Sequence, residues 1–184
     1  MEGNTTPELN SLENREALIS AFPNLRNDEN FKILSPRTQV YNCIAWAMNF
    51  NDRWVDIADI PGHWWPNAVV KSLSPEALVQ AFEAVGFEKT SDQTTEEGYD
   101  KVVLYMNINK GEWTHASRII AESVGHSKFG AAWDGHHSVD SISGGVYGTP
   151  YCWMKRSRSY HFQSEIQQNH INVNLDLLQR FLRK

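Results

Sequence analysis

Cys43 sits in PRTQVYNCIAWAMN directly after Tyr41 and Asn42, where an apolar run of helical spacing begins. A thiol attacks as its thiolate, and the unpaired N–H groups and dipole at a helix start favour that anion. Acyl transfer on a thiol also needs a base within hydrogen-bond reach, supplied from elsewhere in the chain and brought close only by folding. Of the seven histidines, His115 in EWTHASRII is best placed, because it begins a segment of strand character. The chemistry expected is attack by Cys43 on an acyl carbon, with His115 taking and returning the proton. Backbone N–H near Cys43, helped by Tyr41 or Asn42, would hold the oxyanion. The plain alternative is a small buried cysteine, since free cysteine is among the most buried residue types. Cys152, in YCWMK with no histidine beside it, reads as packing.

A third group would fix the imidazole tautomer. His126, Ser127, Lys128, Asp134 and Asp140 follow His115 at suitable distances, and spacing does not choose among them. His126, His136, His137 and Asp134 form a weak metal alternative, lacking both the helical i, i+4 pairing of a zincin and the paired Cys-x-x-Cys of a structural zinc site. No metal and no cofactor is expected. There is no Walker-type loop, dinucleotide fingerprint or G-x-S-x-G. The segment RWVDIADIPGHWWPN is poor helix or strand material but suits a packed loop walling a groove, with Trp64 and Trp65 as substrate-facing rings.

The elements that must position these residues follow from periodicity. LENREALISAFPNL predicts a short helix stopped by Pro23. A helix from Asn42 or Cys43 ends near residues 49–52. SPEALVQAFEAVGF carries an N-cap Ser74, Pro75 at the first position and a C-terminal Gly86. KVVLYMNI, EWTHASRIIA, VGHSKFGAAW and a segment around Tyr151 to Lys155 read as strands, while DGHHSVDSISGGVYGTP reads as a loop. INVNLDLLQRFLRK spaces Leu177, Leu178, Phe181 and Leu182 as one stripe of a C-terminal helix, a surface for self-association or a partner. Helices first and an antiparallel meander after them predict an α+β fold. The domain limits expected are an extension with a short helix over 1–22, the α+β domain over 23–156 and a C-terminal extension over 157–184.

The chain of 184 residues, 41% hydrophobic, suits one core. A net charge of −5 argues against nucleic acid and anionic membranes as partners. No long apolar run or basic leader is present, and two cysteines fit reduced thiols, so a cytoplasmic setting is expected.

A helix-start cysteine followed by a strand-start histidine resembles the layout of papain-like thiol hydrolases, including the NlpC-type amidases. That likeness implies N-terminal helices packed on an antiparallel sheet, and His126 has the spacing of the third residue in NlpC-type enzymes. The ordered strings YNCIAWA, the Trp-Pro stretch, GYDKVVLY, THASRI, SKFG and GGVYG also resemble an uncharacterised bacterial domain family, from about Phe22 to Lys155. Its cysteine and histidine match Cys43 and His115. The function expected is therefore a cysteine hydrolase (peptidase, amidase or deamidase) acting on a protein or peptide-like amide, in a bacterial effector or toxin role. The rival is a noncatalytic protein-binding module, toxin-associated or immunity-like.

Overall fold

The computed structural model describes residues 9–160. The polar start of the chain and the stripe at Leu177 to Leu182 lie outside the described residues. Helix α1 (Leu12–Ala21) begins where the Ser11 side chain accepts the Asn14 N–H, buries Leu18 and Ile19, and gives way to a 3-10 turn at Pro23–Asn27. Strand β1 (Lys32–Ser35) follows, then helix α2 (Cys43–Ala47), the two-residue strands β2 (Trp54–Val55) and β3 (His63–Trp64), and helix α3 (Pro75–Ala84). The ends of α3 are as expected: Ser74 caps Ala77 N–H, Pro75 occupies the first turn, and Gly86 lies at φ 89° just beyond.

Strands β4 (Glu88–Lys89), β5 (Tyr99–Asn107), β6 (Glu112–Ala121), β7 (Val124–Lys128), β8 (Asp134–Ser138) and β9 (Thr149–Ser157) complete the chain, with a 3-10 turn at Val139–Ile142. One seven-stranded sheet results, ordered β1-β8-β7-β6-β5-β9-β4 and antiparallel at every pairing. Side-chain alternation along each strand builds a core on either face. Val102, Leu104, Ala116 and Met154 pack with α2 and α3, whereas Val103, Tyr105 and Ile119 pack with Leu18, Ile19, Phe22 and Leu25.

This architecture overturns the expected α+β arrangement of papain-like, NlpC-type form. The sheet dominates, α2 is one turn long, and α1 packs on the opposite face from α2 and α3. The misreading has a physical source. Lys32–Ser35 and Asp134–Ser138 pair with one another, and the second also pairs with β7, so two segments without apolar alternation became strands. Paired backbones satisfy their own hydrogen bonds even where side chains are polar, and such strands carry no period-2 signal.

Candidate functional site

Asn42 positions Cys43. Its Oδ1 accepts the N–H groups of Ala45 at 3.0 Å and Val55 at 3.2 Å, while its Nδ2 donates to the Val55 carbonyl at 2.9 Å. The side chain thus starts α2 and ties it to β2. Asn42→Ala would strand these buried backbone groups and is expected to cost about 2–4 kcal/mol. Chemical denaturation checks this, and a loss under 0.5 kcal/mol would contradict the assignment.

Cys43 is buried in the core shared by α2 and α3. The N–H groups of Ala116, Ile44 and Cys43 itself bear on its sulfur, but burial outweighs them and pushes the thiol up to about 11. The helix start therefore does not leave a thiolate at rest. His115, fully buried, immediately precedes the Ala116 whose N–H meets the thiol. Its ring lies flat on Tyr147, centroids 3.7 Å apart, and 5.5 Å from the ring of Tyr105, its cross-strand partner. No hydrogen bond joins the sulfur to the imidazole: Nε2 is 2.9 Å from Ser127 Oγ, and Nδ1 is buried without a partner.

The tautomers follow from the network. His137 Nδ1 lies 2.9 Å from the Ser138 carbonyl, which only accepts, so Nδ1 carries the proton. Its Nε2, 2.8 Å from Ser127 Oγ, must then accept the serine hydroxyl. That leaves the serine oxygen to accept from His115 Nε2–H. His115 Nδ1 is consequently an unprotonated lone pair without a donor. Burial holds both imidazoles neutral, His115 well below its ordinary value and His137 down at about 4.

These shifts fix a pH dependence. Between the ordinary histidine value near 6.5 and about 4 the unfolded chain binds more protons than the folded one, so stability is complete above that window and falls as the pH drops through it. His137 alone should remove about 3 kcal/mol across it, at 1.36 kcal/mol per pH unit. Urea midpoints from pH 7 to pH 4 read the loss, and a flat profile would contradict the neutral network.

The other expected residues lie apart from this relay. His126 pairs with Asp134 at 3.2 Å and meets Trp46 edge-on at 4.9 Å. Tyr41 stacks on Trp46 at 5.6 Å. Trp65 stacks on Trp113 at 5.9 Å in the α2–α3 core, and half-buried Trp64 meets Phe50 edge-on against it. Fully buried Lys128 donates to the carbonyls of Gly130 and Ala132 and is lowered to about 8 by burial. Sequence reasoning placed His137 only in a metal set. Its part as the far end of the relay required the pairing of β7 with β8, which sets Gly125 opposite His137; a Cβ at Gly125 would stand 2.8 Å from the His137 ring.

Residues 32–155 match the family described as a domain of unknown function (DUF7689). That span is more than half of the chain, and the protein belongs to this family. No curated protein and no solved structure matches it. Among the described residues no helix is long and apolar enough to cross a membrane.

Proposed function

We propose that the protein is a cysteine-dependent hydrolase of an amide or related acyl bond in a protein or peptide-like substrate. The observation that carries this reading is the bare Nδ1 of His115. A buried acceptor left without a donor costs about 1–3 kcal/mol. The His115 ring shares the α1 face of the sheet with Tyr105, while Cys43 packs with Ala116 on the α2–α3 face, so the reaction requires the imidazole to leave this resting position. At rest Ser127 holds the other nitrogen, which fixes the tautomer that a general base needs.

Because thiol and imidazole are both neutral at rest, proton transfer accompanies bond formation. The Cys43 proton passes to His115 Nδ1 as sulfur bonds to the acyl carbon. Collapse of the tetrahedral adduct breaks the carbon–nitrogen bond, and the departing amine takes the proton from Nδ1. Water then attacks the thioester with Nδ1 again accepting a proton, which returns the thiol and releases the acid. The order of thiol before imidazole is that of NlpC-type thiol hydrolases; the likeness is one of site chemistry. A peptidyl acyl electrophile, followed by peptide mapping, tests the reading: an adduct should form on Cys43 in preference to half-buried Cys152. The burial of Cys43 favours a second reading, a noncatalytic binding module with an inert thiol, and adducts on Cys152 alone would establish it over the first.

A further inference from the structure

A cleft of about 500 Å³ opens between the end of α2 and strands β5 and β6, lined by Asn49, Glu96, Tyr99, Asp100, Arg118 and Arg158 among others. Arg118 on β6 is held by its inner half. Its Nε donates to the Trp46 carbonyl at 2.7 Å, and its guanidinium carbon sits 3.8 Å from the centre of the Trp46 ring. Arg118 lines the cleft, and among the described residues its terminal nitrogens have neither a hydrogen bond nor a carboxylate within ion-pair distance.

Two of the acids that line the cleft are already engaged, while exposed Glu97 also lies in its wall. Asp100 accepts from Asn49 Nδ2 at 2.9 Å and Arg156 at 3.4 Å on one oxygen, and from Arg158 Nε at 3.1 Å on the other. Glu96 is paired with Lys101 and Lys155, and Lys101 also holds Asp92 at 2.6 Å. Three guanidinium groups therefore act around one carboxylate, and Arg118 is the one without a bond to it.

We propose that this cleft binds a small oxoanion, a carboxylate or phosphate group, on the terminal nitrogens of Arg118. The planar guanidinium presents two parallel donors to such a group, and the Trp46 face beneath fixes its plane. Arg158, whose side chain is largely exposed at the rim, adds charge without filling the cleft. Burial lowers Arg118 to about 10, a loss of charge preference that a bound anion reverses. The site stands apart from the thiol and does not depend on the hydrolase reading.

Titration of the full chain with sodium phosphate, and separately with sodium acetate, at ionic strength held constant with sodium chloride tests this. The Nε–Hε resonance of Arg118, assigned on the unsubstituted protein, should move saturably with at least one of the two anions, while that of Arg26, already paired with Glu16, stays in place. The anion that saturates identifies the ligand chemistry. Arg158→Gln should weaken the same response threefold or more. Shifts no larger than those with chloride, shifts shared equally by Arg26, or a response unaltered in Arg158→Gln would each overturn the proposal.

Discussion

His115→Ala should lower the rate at which a peptidyl electrophile labels Cys43 by about 10²- to 10⁴-fold, the range that a positioned general base contributes. The effect should be this large where His115, rather than Lys128, which is lowered to about 8 and interacts electrostatically with the thiol, is the base: burial holds Cys43 near 11, so the thiolate is scarce at neutral pH and the base must take the proton as the bond forms. Labelling of Cys152, half-buried on β9, supplies the reference and should be unchanged. Timed mass spectrometry of both cysteines reads the ratio directly. Equal rates in the variant and the parent would remove His115 from the reaction. Cys43→Ala should abolish the adduct and cost about 1–2 kcal/mol as well, since the sulfur lies in packed core rather than at an open helix end.

Ser127→Ala should act on stability and reactivity together. One hydroxyl links two buried imidazoles, and its loss leaves the Nε2–H of His115 without an acceptor and Nε2 of His137 without a donor. Two stranded groups at about 1–2 kcal/mol each give an expected loss of about 2–4 kcal/mol in urea unfolding. With nothing to fix its tautomer, His115 can place its proton on Nδ1, and labelling of Cys43 should slow by about tenfold or more. A variant that unfolds at the parental midpoint would show that the serine does not join the two rings.

Much of the frame was legible in the sequence where local physics and tertiary packing agree. Helix α3 announces itself through Ser74, Pro75 and Gly86, and β5, β6 and β9 through alternating β-branched and aromatic residues. The turn at Ser123, φ 57°, falls between EWTHASRIIA and VGHSKFGAAW, the two segments read as strands. Strand β8 was not legible, because Asp134 and His137 are buried by their hydrogen bonds rather than by apolar character. Cys43 could be chosen from the sequence as a thiol at a helix start, whereas His115, expected at the start of a strand, stands fourth in the ten residues of β6. Their protonation could not, since it depends on how deeply the packed α2 core desolvates the sulfur and on a hydroxyl two strands away from Tyr105. Ser127 stood among five candidates for the third group, and only the β7–β8 register separates it from His126, whose side chain goes to Asp134 instead.

The order of the sheet has a consequence for how the protein behaves in crowded solution. Its central strands carry the long ladders, nine residues in β5 and ten in β6, and both lie inside. The outer strands among the described residues are β1, four residues, and β4, only two, and each includes a lysine. An intruding strand would find too few free backbone groups in a row to register against, and would have to approach a fixed positive charge to reach them. The fold thus keeps its apolar run VVLYM between β6 and β9, paired on both sides and away from any free edge.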